Sequence, residues 1–359
     1  MCFARRFGRE RRKMKRKAIS AVLALVMIAV LMAGGLLSGC SSGGAGAQPA
    51  ATGSAADSAA GDANADAASS PDQAAPADTS ITVTDMAGRE VTLPAPATRV
   101  IALTAGDVEI IYALGAGDTL VGRGEYCDYP SEVLDVMSVE SGNETNIEQI
   151  IALKPQLLVM SQMAQTQDQI RQLEDAGIVT YVSYAQDIEG TYTAISLLGQ
   201  LLGKSAEADT VISNMKSVFA DVHDKAMAAS GGEQKSIYFE VSPLEYGLWA
   251  AGTGTFMNEI AGLLNMRNIF DDVSSWAEVS EEQVLERNPD YIMTVGMYYG
   301  DGPTPVESIL ARPGWENITA VKNKAVLDLA NNELSRPGPR LADGAQMLYD
   351  FVYGGGSAS

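Results

Sequence analysis

A repeated fifteen-residue unit constrains this chain more than any other feature. Asn146-Ile-Glu-Gln-Ile-Ile-Ala-Leu-Lys-Pro-Gln-Leu-Leu-Val-Met160 reads in register against Ser280-Glu-Glu-Gln-Val-Leu-Glu-Arg-Asn-Pro-Asp-Tyr-Ile-Met-Thr294. Each copy opens on a helix-capping residue, Asn146 or Ser280, and continues with Glu-Gln and two aliphatics. A proline then ends the helix (Pro155, Pro289) and an apolar strand follows. The copies lie 134 residues apart, from Glu148 to Glu282. One such unit is ordinary in an α/β protein, but two in register predict two lobes of like construction.

The residues around the repeat fit that plan. Residues 81–93 alternate as a hairpin would, with Ala87-Gly88 as its turn. Arg99-Val-Ile-Ala-Leu103 reads as a buried strand, followed by a loop, a helix over 107–114 ended by Gly115-Ala-Gly117, and a strand at Leu120-Val-Gly122. This β-loop-α-β rhythm predicts parallel sheet with helical crossovers. Residues 206–229 form the longest helical stretch, with Val211, Met215, Val218 and Val222 on one apolar face and Gly231-Gly232 as its stop. Such a helix is long enough to run from one lobe to the other. A second lobe starts with a strand over 236–241, continues through a helix at 255–264 and ends with one near 341–352. The expected divisions are an N-terminal α/β lobe over 80–190, a helical connector over 191–232, a C-terminal α/β lobe over 233–354 and a flexible tail at 355–359.

The first 79 residues have a different texture. Residues 5–17 are basic, residues 18–37 apolar, and Leu37-Ser38-Gly39-Cys40 follows. Basic, apolar, then small is the order of a secretory signal. The apolar run is about long enough to span a bilayer, but the small residues at its end and the cysteine directly after them point to cleavage. Leu-Ser-Gly-Cys resembles the bacterial lipobox, so residues 1–39 read as a lipoprotein signal peptide and Cys40 as the lipidated mature N-terminus. Met14 opens a Met-Lys-Arg-Lys run and is an alternative start for that signal. Residues 40–79 are rich in Ala, Gly, Ser and Asp and contain no large apolar residue. Such a stretch cannot bury enough surface to offset ordering entropy and is expected to be a flexible tether.

Charge and residue counts exclude several functions. The formal net charge is −20, and the first 39 residues hold nine of the Lys and Arg and one acid. Cleavage before Cys40 leaves 16 basic and 44 acidic residues, a net of −28, which repels nucleic acid. The one histidine, His223, cannot build a site that needs two or three imidazoles, and it lies on the long helix, where helix packing explains it. Cys127 reads as a small buried hydrophobe. No Ser/His/Asp arrangement, Gly-x-Ser-x-Gly elbow or Gly-x-x-x-x-Gly-Lys loop is present, so no catalytic residue, resident cofactor or protein-held metal is expected, and the chain is not read as an enzyme.

Taken together, several stretches resemble the iron-siderophore, haem and vitamin B12 group of periplasmic-type solute-binding proteins. They are Asp85-Met-Ala-Gly-Arg-Glu-Val91, Arg99-Val-Ile-Ala-Leu103, Tyr126-Cys-Asp-Tyr-Pro130, the two Glu-Gln helices, Pro313-Gly-Trp315 and Ser335-Arg-Pro-Gly-Pro-Arg-Leu341. The resemblance implies a class III periplasmic-binding-protein fold: α/β, with two Rossmann-like lobes of mainly parallel sheet joined by a single long rigid helix. It implies a ligand held between the lobes at the carboxyl ends of strands, with little flexing on capture. Candidate ligand contacts are Thr104, Ala105, Tyr126, Met163, Tyr184, Trp249, Trp276, Tyr298 and Arg336. A tyrosine in the place of Tyr126 touches the ligand in the family's B12 binder. Flat aromatic faces suit a corrin, porphyrin or catecholate, and Arg336 could fork onto a ligand carboxylate or phosphate. The ligand is expected to be a metal chelate: a ferric siderophore, a cobamide or haem. Glu148 and Glu282 match the family's docking glutamates for the two subunits of an ABC permease, itself driven by an ATPase. The expected protein is a monomer outside the cytoplasm, anchored to the membrane through Cys40. A surface sensor or scavenger without a permease is the alternative on the same fold.

Overall fold

The computed structural model describes residues 79–141, 145–161, 167–242, 244–295, 302–329 and 332–354. The expected signal, the tether up to residue 78, the 355–359 tail, and Met163 and Tyr298 lie outside the described residues. The described body belongs to a compact unit over Ala74–Ser359.

The chain enters through the expected hairpin, β1 (Ile81–Thr84) and β2 (Glu90–Leu93). Asp85 closes its turn: Oδ1 accepts from the backbone N–H groups of Ala87 (3.0 Å) and Arg89 (2.8 Å). The hairpin also shields a sheet edge. Asp85 Oδ2 accepts from the Val182 N–H (3.2 Å), and Arg89 Nη2 donates to the Thr180 carbonyl (3.1 Å).

The first sheet holds β3 (Val100–Ala102), β4 (Leu120–Gly124), β5 (Ser138–Val139), β6 (Leu157–Ser161) and β7 (Val179–Ser183), in the order β5-β4-β3-β6-β7. Every pairing is parallel. Its crossovers include α1 (Ala105–Ala113), α2 (Ile147–Leu153) and α3 (Gln167–Asp175). Helix α1 begins two residues earlier than the residue pattern predicts.

From β7 the chain passes through α4 (Ile188–Leu201) to α5 (Ser205–Ser230). The 26 residues of α5 span about 39 Å at 1.5 Å per residue. Its buried stripe is Ala208, Met215, Phe219, Val222 and Ala226, so Phe219 sits at the centre of the face and Val211 and Val218 flank it. The helix ends on Gly231 at φ 58°, a left-handed cap that favours glycine.

The second sheet holds β8 (Lys235–Ser242), β9 (Leu248–Ala251), β10 (Met266–Asn268), β11 (Trp276–Val279), β12 (Tyr291–Thr294) and β13 (Val326–Asp328). Its order is β11-β9-β8-β12-β13, with β10 beside the start of β8. The pairings of β8 with β10 and β12, and of β12 with β13, are parallel. Strands β9 and β11 are antiparallel and stand where the first sheet carries the parallel strands β4 and β5. Helices α6 (Phe256–Leu263), α7 (Glu281–Arg287), α8 (Pro305–Leu310), α9 (Thr319–Lys322) and α10 (Leu341–Tyr353) complete the chain.

The sequence repeat is a structural repeat. Helices α2 and α7 each run seven residues. Asn146 accepts from the Gln149 N–H and Ser280 from the Gln283 N–H, and each helix ends on a left-handed residue, Lys154 or Asn288, directly before the proline. The strands that follow occupy like places: β6 lies between β3 and β7, and β12 between β8 and β13.

One apolar cluster runs through both lobes. It joins Val100, Val159 and Tyr181 of the first sheet, Ile195, Met215 and Phe219 of α4 and α5, Ile237, Phe239 and Met293 of the second sheet, and Leu348 of α10. Each sheet's opposite face has its own smaller core, around Leu158 and Val182 in the first and Tyr238 and Ile292 in the second. Helix α10 lies along α5, so the covalent link through α5 is reinforced by packing.

Candidate functional site

The carboxyl ends of β8 and β12 open onto a cleft of about 430 Å³. Val241 and Ser242 end β8, Val295 follows β12, and Trp249, Met257, Trp276 and Ser335 complete the lining. The antiparallel pair places the two tryptophans: Ser242 lies opposite Trp249 on β9, and Ala251 opposite Trp276 on β11. Trp276 also packs against Phe256, with centroids 5.4 Å apart at 60°.

The first lobe meets this rim. Trp276 Nε1 donates to Gln186 Oε1 (2.6 Å), and the Phe256 N–H to the Gln186 carbonyl (2.8 Å). The Ile188 N–H donates to Glu259 Oε2 (2.7 Å). Near the end of β8, Arg312 grips Glu240 with two bonds of 2.8 Å and lies 4.1 Å over Trp315. Burial raises the Glu240 carboxyl, even against the hydrogen bonds and charge of Arg312.

The sequence-based candidates fall into three groups. Trp249 and Trp276 line the cleft together, and Arg336 directly follows Ser335 of its wall. Tyr126 is 64 % exposed, and its carbonyl accepts from Arg336 Nη2 at 3.4 Å. Thr104 caps α1, its hydroxyl donates to Asp107, and Ala105 is the first residue of that helix. Tyr184 follows β7 and is partly exposed, with its N–H on Met86 Sδ. Met163 and Tyr298 lie outside the described residues.

Arg336 differs from the expectation that its fork would meet a ligand anion. Nη1 donates to Glu109 Oε1 (3.0 Å) and Asp128 Oδ1 (2.6 Å). Both acids belong to the first lobe, so the guanidinium is already neutralised by protein. Burial disfavours the charged Asp128 carboxylate, but the hydrogen bond and charge of Arg336 outweigh it and hold this carboxyl below its usual range. Cys127 is buried as expected, and burial pushes its thiol up to about 12, so it offers no thiolate at neutral pH. His223 binds the Leu263 carbonyl through Nδ1 (2.9 Å), which is helix packing.

Glu148 and Glu282 are both exposed on the first turns of α2 and α7. The neighbouring Glu281 is committed instead to Trp315 Nε1 (2.9 Å), which separates a structural acid from an available one.

Several site residues escaped sequence reasoning. Val241 and Ser242 were accessible to the rule that ligands sit at carboxyl strand ends. Glu109 and Asp107 carried a signal, as lone acids in the apolar run Asp107-Val-Glu-Ile-Ile111. Met257 and Gln186 carried none, because only the packing of α6 against the first lobe brings them to the cleft.

Two lobes of α/β build, a long bridging helix and a cleft at carboxyl strand ends define a class III periplasmic-binding-protein fold. The sequence profile described as "Periplasmic binding protein" matches residues 100–333, and the chain belongs to that family. An ABC transporter substrate-binding lipoprotein of Bacillus subtilis, YvrC, is 35% identical over 276 residues, covering 76% of this chain and 85% of that protein. The vitamin B12-binding protein of Yersinia pestis is 31% identical over 260 residues, covering 72% and 88%. Among solved structures, a possible iron-binding periplasmic solute-binding protein from Staphylococcus epidermidis superposes with a TM-score of 0.60 at 29% identity, covering 72% of this chain and 99% of that one.

Proposed function

We propose that this chain is the extracytoplasmic substrate-binding lipoprotein of an ABC importer and that its cargo is a cobamide. The observation that carries the cargo is the neutrality of the cleft. Its lining is aromatic, aliphatic and hydroxyl, with no charged side chain among the described residues that form it. The arginine beside it is spent on Glu109 and Asp128. Anionic siderophores and the two carboxylates of haem call for cations, and haem also calls for an axial ligand. A corrinoid is a bulky, nearly neutral macrocycle that brings its own metal ligation. It needs flat apolar faces and a few polar groups, which Trp249, Trp276 and Ser242 supply.

The similarity to a vitamin B12-binding protein over most of both chains supports this reading. So does the lipoprotein relative, together with the Leu-Ser-Gly-Cys40 signal and the tether behind it. Acylation of Cys40 would hold the body at the membrane without a span, and Glu148 and Glu282 would dock one lobe on each half of a two-fold permease.

Thermal denaturation of purified residues 80–359 tests the cargo. Cyanocobalamin at 100 times its dissociation constant should stabilise by about 2.7 kcal/mol, with no shift from haem or ferric siderophores. Stabilisation by haem or a siderophore without stabilisation by cyanocobalamin would overturn the cobamide.

A further inference from the structure

Residues 336–340, directly ahead of α10, lie on the first lobe. There Glu109 of α1, only 2% exposed at its side chain, accepts three charge-assisted hydrogen bonds. They come from Arg336 Nη1 (3.0 Å), Arg340 Nε (2.9 Å) and Arg340 Nη2 (2.6 Å). Arg336 also holds Asp128 and the Tyr126 carbonyl, and the Arg340 guanidinium lies 3.9 Å over the Tyr129 ring. Two arginines therefore grip one loop at Tyr126, Asp128 and Tyr129, and the helix beneath it. The backbone fit is close as well: a β-carbon at Gly106 would meet the Pro337 carbonyl oxygen at 2.7 Å. Helix α10 then runs back to the second lobe, where the Tyr353 hydroxyl donates to the Leu264 carbonyl (2.7 Å).

We infer that Glu109, Asp128, Arg336 and Arg340 form an inter-lobe clasp that positions the Tyr126 loop against the Ser335 wall of the cleft and so sets how long a ligand stays bound. Exposed ion pairs hold little, but Glu109 is sealed from water, and losing one partner strands a charge in low dielectric. The forked geometry of arginine fixes orientation as well as distance. All four are positioning residues, acting through Tyr126 and Ser335. The clasp needs only that a ligand occupies this cleft, and does not depend on which chelate it is.

Hydrogen exchange of the full-length chain, read by mass spectrometry without ligand, tests the clasp in Glu109→Gln and Asp128→Asn. Two reporter amides are Cys127, bonded to the Gly124 carbonyl, and Leu341, bonded to the Gly338 carbonyl. Exchange there should rise roughly tenfold in Glu109→Gln and about threefold in Asp128→Asn while β3 and β12 keep their protection. Asp128 is 59% exposed at its side chain, so Asp128→Asn strands no deeply buried acid and stays informative if Glu109→Gln folds poorly. Arg336→Lys, which keeps the charge and loses the fork, should fall between these variants and the unaltered chain. A second arm follows release of bound cyanocobalamin, expected roughly tenfold faster in Glu109→Gln and about threefold faster in Asp128→Asn. Unchanged exchange at Cys127 and Leu341, an equal rise across β3 and β12, or unchanged release would each overturn the clasp. If the unaltered chain does not bind cyanocobalamin, the cobamide fails separately and the exchange arm still decides.

Discussion

The Asp107 carboxyl is buried in the first turn of α1, with the hydroxyls of Thr104 and Ser183 beside it. Burial raises it from 3.8 to about 6, the two hydrogen bonds only partly opposing that. Between those values the folded state binds more proton than the unfolded one, so this group's contribution falls as pH rises from about 4 to about 6 and is level above. The span corresponds to about 3 kcal/mol. Asp107→Asn removes the titration. In urea unfolding at pH 4 and pH 7, the stability of the unaltered chain relative to the variant should therefore drop by about 2.4 kcal/mol on going to the higher pH, the rest of the span lying below pH 4. A constant difference would show that Asp107 does not titrate in this window. From the sequence this acid reads only as the start of a helix. Its burial follows from how the start of α1 meets Ser183 at the end of β7, which no local pattern encodes.

Secondary elements were legible wherever their signals are local. The Ala87-Gly88 turn, the Gly231 stop and the capped starts of α2 and α7 depend on residues within a few positions of one another. The cap of α7 is the fuller of the two, because Ser280 and Gln283 satisfy each other's backbone N–H reciprocally. Ser280→Ala should cost about 1 kcal/mol in thermal or urea unfolding, with the α7–β12 unit loosened first in hydrogen exchange. Strands β9 and β11 were not anticipated as a pair. Each is four residues long, too short for a clear period, and their antiparallel register is fixed only by pairing with the end of β8. That pairing sets Trp249 and Trp276 on one wall.

For the molecule as a whole, the matched faces of α2 and α7 carry the proposed contact with a two-fold permease. Each exposed pair contributes about 0.2–1 kcal/mol, so the two glutamates should act on register and encounter rate. Glu148→Ala/Glu282→Ala is expected to abolish cobalamin uptake by cells carrying it as the sole copy, with affinity of the purified variant unchanged. Loss of both together would mean that these acids serve the ligand or the fold. The shared apolar cluster along α4, α5 and α10 agrees with a body that closes little on capture.

The sequence by itself determined the two-lobe plan, the long connecting helix and the family, because periodicity, caps and turns are written in neighbouring residues and the plan occurs twice. It also pointed to the tryptophans of the cleft. Only the tertiary structure decided what Arg336 does. Its acid partner Glu109 lies 227 positions away along the chain, and charge pairing across such a distance is settled by how two lobes and a returning segment pack. The same packing buries the two arginines and Glu109 together, leaving no charged side chain among the described residues that line the cleft, where the sequence points to one that holds an arginine.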